Sequence, residues 1–146
     1  MRITLLAYYR FFAHLLALAP PLMRQFIFYN KTVKPIIKKW AKEFPSYAQP
    51  KEIKRLLFFG TFIPLMQGKG FALLRGKKMN ERERLTMTLF ATATPLFDDF
   101  FDENFSTPQE LELFFELREN YSPKHPKSIL LFRLLLEIKQ IGRAHV

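Results

Sequence analysis

The sequence contains no cysteine, so a disulfide framework and any chemistry that depends on a thiol are excluded. It also lacks segments in which Val, Ile or Thr alternate with polar residues between Asn-Gly or Asp-Gly turns, and β-hairpins are therefore not predicted. No Walker sequence and no GxGxxG after a strand is present, so the glycines of residues 68–76 indicate a linker rather than a phosphate loop. What remains is a chain of 146 residues that fits one helical domain of ordinary size.

Acidic residues are scarce in the first two-thirds of the chain. Residues 1–97 hold 17 Lys or Arg against 4 Asp or Glu, whereas residues 98–146 hold 6 against 9, which gives balances of +13 and −3. A basic first part predicts an anionic partner, namely nucleic acid, a membrane surface or phosphate. A solvated surface rich in lysine explains the same charge equally well, so composition alone leaves both interpretations open.

Residues 3–19 form an apolar run that Arg10 and His14 interrupt. Residues 17–19, Ala-Leu-Ala, are similar to a signal-peptidase site, but the run is too short and too interrupted to predict a membrane span. We predict an amphipathic or core helix that could rest on a membrane surface. A retained signal or anchor is the less favoured alternative.

Proline positions divide the first half of the chain into three predicted helices. The first covers residues 2–18 and ends at Pro20 and Pro21, and the second covers residues 22–43 with a bend or break near Pro35. The third helix begins near Pro50. The first half is therefore expected to be helical with proline breaks.

A capping box predicts the start of the best-defined helix. Asn80 is a favourable N-cap, and Glu83 follows it by three residues, so a helix is expected from Asn80 to about Glu103. Similar signals predict a helix over residues 107–120, with Pro108 at its first position, and a last helix from Ser128 onward.

The last six residues, 141–146, match the translation of a common sequencing-library adapter. Residues 140–146 are therefore interpreted as adapter read-through, with native sequence stopping near Lys139. Residues 1–139 are then the N-terminal part of one α-helical domain that is cut off in mid-gene. A genuine C-terminus is the alternative.

Four acidic residues close the predicted fourth helix: Asp98, Asp99, Asp102 and Glu103. At spacings of three and four their side chains lie on one helix face, at the end where the helix dipole is already negative. Residues 85–117 contain no Lys or Arg to offset this charge. Mg²⁺ would offset it, because this ion prefers carboxylate oxygens and commonly bridges them to substrate phosphates. A solvated acidic helix end is the alternative.

Small residues precede the aspartates on the same helix face. Counting back from Asp98 by three, four and seven gives Pro95, Thr94 and Ala91. This narrow face could leave room for an apolar chain beneath a metal. Close packing of neighbouring helices explains it equally well.

Residues 85–104, LTMTLFATATPLFDDFFDEN, resemble the metal-bearing helix of trans-prenyltransferases and class I terpene synthases, which carry DDxxD late on a helix of an all-α bundle. The resemblance implies the N-terminal half of an antiparallel helical bundle of the isoprenoid synthase type. It implies that Asp98, Asp99 and Asp102 hold Mg²⁺ against the diphosphate of an allylic prenyl substrate. The full-length enzyme would ionise that substrate for coupling or cyclisation, and the many phenylalanines suit stabilisation of a cation.

The chain also departs from the family pattern. No arginine pair follows the aspartates and no second metal motif is present, so chain elongation is not implied and this fragment by itself is expected to be inactive. Lys69 and Arg75 are candidates for diphosphate contact by charge alone. The complete protein is expected in the cytoplasm, with peripheral membrane contact. The alternative function is that of a basic helical protein that binds an anionic membrane surface or nucleic acid without catalysis.

Overall fold

The computed structural model describes residues 5–43, 49–102, 108–117 and 120–143. Nearly all of these residues are helical and none of them lies in a strand, which confirms the all-α fold class. The elements in chain order are α1 (Leu5–Phe28), a π-helical stretch (Tyr29–Val33), α2 (Lys34–Glu43), α3 (Pro50–Ile63), a second π-helical stretch (Pro64–Gly68), α4 (Lys69–Arg75), α5 (Glu81–Asp102), α6 (Pro108–Phe115) and α7 (Pro126–Arg143).

Helix α1 continues through Pro20 and Pro21, so the predicted end at residue 18 is wrong. A proline inside a helix lacks an N–H and leaves the carbonyl four residues earlier without its partner. Here the two carbonyls belong to Leu16 and Ala17, both of which are exposed. Because water can hydrogen-bond to exposed carbonyls, the helix tolerates both prolines.

The break predicted near Pro35 occurs slightly earlier, as the π-helical stretch Tyr29–Val33. The N–H of Lys34 donates to the carbonyl oxygen of Tyr29, five residues before it, which is the wide π-helical spacing. The wider turn brings the chain to Pro35, which has no N–H to donate, without ending the helical path.

The linker predicted at residues 68–70 is wrong, because this segment is helical and joins the second π-helical stretch to α4. A Cβ added at Gly68 would lie 2.8 Å from Met79 Cε, so the end of the Met79 side chain packs against this glycine. The chain turns instead at Gly76, whose positive φ of 67° ends α4 in a conformation that favours glycine.

The capping box of α5 is confirmed. The N–H of Glu83 donates to Asn80 Oδ1 at 2.9 Å, and the N–H of Asn80 donates to Glu83 Oε2 at 2.8 Å. The structure describes the helix as far as Asp102, and the predicted end at Glu103 lies outside the described residues.

The last two helices differ from the prediction at one end each. Helix α6 begins at Pro108 as expected but ends at Phe115, because Leu117 adopts a left-handed conformation with φ 49°. Helix α7 begins at Pro126, two residues before the predicted start.

Helix α5 lies in the middle of the core and packs against α3 and α7. A Cβ added at Gly60 of α3 would lie 2.4 Å from Thr92 Oγ1 and 2.4 Å from the Tyr29 ring, so three elements meet at this glycine. The buried core residues are Tyr29, Val33, Ile37, Trp40, Leu56, Leu89, Ala93, Leu96, Phe100, Phe114, Leu130, Leu131, Phe132, Leu134 and Leu135.

Side-chain contacts fix the relative direction of α1, α3 and α5. Gln25 Nε2 donates to Thr88 Oγ1 at 2.8 Å and to the Gly60 carbonyl at 3.2 Å. Tyr29, four residues after Gln25, lies beside Thr92, since both would be 2.4 Å from a Cβ added at Gly60. Later residues of α1 thus meet later residues of α5, so the two helices run in the same direction. The first half of α1 therefore extends past the start of α5, toward the end of the fold that is opposite to Asp98.

Candidate functional site

The three aspartates of the predicted metal site occupy the last two turns of α5. Asp98 and Asp102 are exposed, one helical turn apart, and neither is ion-paired within the part of the chain that the structure describes. Asp99 instead faces α3, and its side chain is only 14% exposed. The helix therefore divides the cluster into an exposed pair and one half-buried carboxylate.

Arg55 of α3 holds the half-buried carboxylate. Its Nη1 donates to Asp99 Oδ1 at 2.9 Å and to Oδ2 at 3.1 Å, and its Nη2 donates to the carbonyl oxygen of Pro95 at 2.9 Å. Glu52, one turn earlier on α3, lies 3.6 Å from the same Nη1. Arg55 therefore bonds α3 to the C-terminal part of α5 at a side chain and at a backbone group.

The contact with Arg55 supplies a countercharge that the local sequence lacks. Burial lowers the pKa of Arg55, but the hydrogen bond and the charge of Asp99, together with the charges of Glu52 and Asp98, raise that pKa by more, so the guanidinium stays charged. Part of the charge that predicted a metal is therefore neutralised by a residue 44 positions earlier. Helical spacing within α5 gives no signal for such a partner on another helix.

The three aspartates do not form a ligand triad among the described residues. Across the described residues, no three His, Asp or Glu side chains are close enough to share an ion. Both oxygens of Asp99 accept hydrogen bonds from Arg55. We therefore expect Asp99 to position the end of α5 rather than to hold the metal ion. Asp98 and Asp102 remain, and two carboxylates suit Mg²⁺, which usually completes its coordination with water and substrate phosphate.

The small-residue face of α5, predicted to leave room for an apolar chain, is mostly buried in the fold. Ala91 is only 1% exposed, Pro95 is buried, and Thr94 is half-buried with its hydroxyl donating to the Phe90 carbonyl at 3.3 Å. Small side chains let neighbouring helices approach α5 closely, as Thr92 does at Gly60. The alternative interpretation, close helix packing, accounts for this face.

Arg75 lies far from the aspartates. It forms an ion pair with Glu83 through two hydrogen bonds, the second of them from Nη2 at 2.9 Å, near the start of α5. Glu83 and Asp98 are 15 positions apart, which is about 22 Å along an α-helix. Arg75 and the aspartates therefore lie at opposite ends of α5, and the structure does not bring them together. The backbone of Lys69 begins α4 near Arg75, and its side chain lies outside the described residues.

Phenylalanines surround the aspartate end of α5 and pack against α6. Phe100 stacks on Phe114 with ring centroids 4.6 Å apart, and Phe115 stacks on Phe97 at 6.5 Å and on Phe101 at 6.3 Å. Phe101, adjacent to Asp102 in sequence, keeps about half of its surface exposed. An aromatic face is thus accessible beside the exposed aspartate pair.

An open apolar groove of about 650 Å³ lies between α1 and α3. Phe58 and Phe62 stack within it, with parallel rings 5.6 Å apart. The residues that line the groove are Ala19, Leu22, Met23, Phe26, Lys54, Leu57, Phe58, Thr61 and Phe62. None of them belongs to α5, and a groove at this place was not predicted from the sequence.

Two helical stretches of the described chain, Ala7–Trp40 and Pro50–Arg75, are long and apolar enough to cross a membrane by length and composition. The first is almost unburied, with 6% of its most apolar window inside the fold, and the second is 35% buried.

No protein-family model, no curated protein and no solved structure matches this chain.

Proposed function

We propose that this chain carries the aspartate-rich half of a magnesium-dependent class I isoprenoid synthase, which ionises an allylic prenyl diphosphate for coupling or cyclisation. The observation that carries the proposal is the exposed Asp98 and Asp102 pair, one turn apart at the C-terminal end of a helix in an all-α fold. The segment around this pair, residues 85–104, is the one that resembles the metal-bearing helix of the family. The proposal includes the fold type, which is an antiparallel helical bundle of the isoprenoid synthase type.

The residues have separate roles in the proposed site. Asp98 and Asp102 would hold Mg²⁺, which supplies a Lewis acid and a charge clamp for the departing diphosphate. Asp99 and Arg55 are positioning residues, because their hydrogen bonds hold the end of α5 against α3. The exposed ring of Phe101 would offer an aromatic face to a developing cation.

Ion binding tests the proposed pair directly. Binding of Mn²⁺, a spectroscopic substitute for Mg²⁺, to the 146-residue chain can be followed by electron paramagnetic resonance with inorganic pyrophosphate present. Asp98→Asn and Asp102→Asn are each expected to abolish measurable binding, whereas Glu112→Gln, an exposed acid on α6, should leave it unchanged. Equal binding by the wild-type chain and both aspartate variants would refute the proposed site.

Recovery of the full gene tests the class of enzyme. The proposal requires a second Asp- or Glu-rich metal motif downstream of residue 139. A complete reading frame without such a motif would exclude a class I isoprenoid synthase.

We also propose that the protein is cytoplasmic and makes peripheral contact with a membrane. The charge of residues 1–42 supports this location, because they contain eight Lys or Arg and no Asp or Glu. The same observation favours the second candidate function, which is binding to an anionic membrane surface without catalysis. Binding to nucleic acid has less support, since the sequence contains no recognised nucleic-acid motif.

A further inference from the structure

The first half of α1 has no packing partner among the described residues. Every side chain described between Ala7 and Pro20 is exposed, although most of these residues are apolar. Seven other exposed large apolar residues lie on α3, α4 and α5, but α1 carries the longest continuous set. An exposed apolar surface of this extent marks an interaction site more often than a bare surface.

Five of the exposed apolar residues of α1 share one helix face. Tyr8, Phe12, Leu16, Met23 and Phe26 recur at the helical period, and we call this set the α1 stripe. Leu16, at its centre, is 72% exposed. At its C-terminal end the stripe enters the groove between α1 and α3, since Met23 and Phe26 line that groove. The stripe and the groove therefore form one continuous apolar surface.

Positive charge lies opposite the α1 stripe and beside the groove that continues it. Arg10 and Arg24 are exposed and lie on the helix face opposite to the stripe, and the exposed Lys54 lines the groove. No acidic residue occurs in the sequence before Glu43. An apolar face with basic residues on the opposite face is the pattern of helices that lie in the interface of a bilayer with anionic lipids.

Two features favour a helix that lies in the interface over one that spans the bilayer. Arg10 and His14 would both lie within a span formed by the start of α1, at a cost in free energy. Pro20 and Pro21 also leave the carbonyls of Leu16 and Ala17 without their helical donors, and hydrocarbon offers no replacement. Water at the membrane interface does offer one.

We infer that the α1 stripe inserts into the interface of a bilayer rich in anionic phospholipid, with α1 parallel to the membrane plane. This surface deepens the peripheral contact proposed above and rests on that proposal. It shares no residue with the aspartate pair, which lies at the opposite end of the fold.

Flotation of the 146-residue chain with phospholipid vesicles tests the surface. The chain should bind vesicles that contain one-third phosphatidylglycerol, bind pure phosphatidylcholine more weakly, and dissociate as ionic strength rises. Phe12→Glu and Leu16→Glu should each weaken binding about ten-fold or more, because each removes apolar area and adds a repelled charge. Phe90→Glu on α5 is the matched control for a glutamate placed at an exposed phenylalanine outside the stripe. Phe90 is 53% exposed and Phe12 is 59% exposed.

The possible results of these experiments distinguish the proposed membrane contact from the proposed role of the α1 stripe. If the wild-type chain does not bind anionic vesicles, the peripheral contact and this surface both fail. If it binds but Phe12→Glu and Leu16→Glu bind equally well, only the surface fails. Retention in the membrane after alkaline carbonate extraction would overturn the interfacial orientation in favour of a span. Loss of vesicle binding on dimerisation, measured by analytical ultracentrifugation, would assign the stripe to a second copy of the chain instead.

Discussion

Arg55 donates from one nitrogen to both carboxylate oxygens of Asp99, at 2.9 and 3.1 Å, and so joins two helices across 44 residues of sequence. The arginine side chain is 33% exposed and the aspartate side chain 14% exposed, so water screens this pair only in part. A second nitrogen bonds the Pro95 carbonyl, which adds a backbone contact to the ion pair.

Substitution of Arg55 is expected to destabilise the fold. Arg55→Leu should lower the free energy of unfolding by about 1–2 kcal/mol, because Asp99 loses the hydrogen bonds from Arg55 while still partly buried. Urea denaturation followed by circular dichroism measures the change. Glu52→Gln is the control, since Glu52 lies 3.6 Å from Arg55 and is expected to contribute little. Equal stability of Arg55→Leu and the wild-type chain would show that the contact is not formed in solution.

Gly60 is expected to be intolerant of a side chain. A Cβ at this position would lie 2.4 Å from Thr92 Oγ1 and from the Tyr29 ring, so Gly60→Ala should cost about 1–3 kcal/mol through overpacking. Gly70→Ala is the matched control, because no atom lies within 4 Å of its added Cβ and alanine favours a helix. Thermal unfolding of both variants tests the contrast, and a Gly60→Ala chain as stable as Gly70→Ala would contradict the close approach of the three elements.

Local interactions could be predicted from the sequence, and contacts between distant residues could not. The capping box of α5 was predictable because Asn80 and Glu83 are three residues apart and their chemistry is specific. The continuation of α1 through Pro20 and Pro21 was missed because it depends on solvent exposure of Leu16 and Ala17, which only the fold determines.

In the candidate site, too, local features could be predicted and contacts between distant residues could not. The exposed pair Asp98 and Asp102 follows from helical spacing, whereas the countercharge at Asp99 depends on which residue of α3 faces it. The buried position of Ala91 is also a result of packing, since a narrow helix face suits a cavity and a close helix contact equally.

Acid is expected to weaken the contact between α4 and α5. The hydrogen bond from Arg75, followed by the backbone hydrogen bond from Asn80, lowers the pKa of Glu83 from 4.5 to about 2. A carboxyl whose folded-state pKa is lowered contributes stability above its unfolded pKa, and loses that contribution as the pH falls through the folded value. The stability difference between the wild-type chain and Glu83→Gln should therefore be present at neutral pH and disappear between about pH 4.5 and pH 2.

Unfolding curves of the wild-type chain and of Glu83→Gln at neutral pH, pH 4 and pH 2.5 measure how the stability difference between the two chains changes with pH. Taking the difference between the two chains removes the general effect of acid on a protein that already carries a net charge of +10. A difference that stays constant through the window would show that Arg75 and Glu83 are not paired in solution.

If Asp98 holds a metal ion, its substitution should abolish diphosphate release without unfolding the protein. Asp98 is exposed at the last turns of α5, so Asp98→Ala should leave the free energy of unfolding nearly unchanged and remove a repulsion from Asp102. In the complete protein the same substitution is expected to abolish magnesium-dependent release of diphosphate from an allylic prenyl substrate, measured as released pyrophosphate. Asp99→Ala provides the contrast, because it should lower stability by removing the carboxylate that Arg55 holds. Undiminished diphosphate release by a folded Asp98→Ala protein would contradict the proposed metal pair.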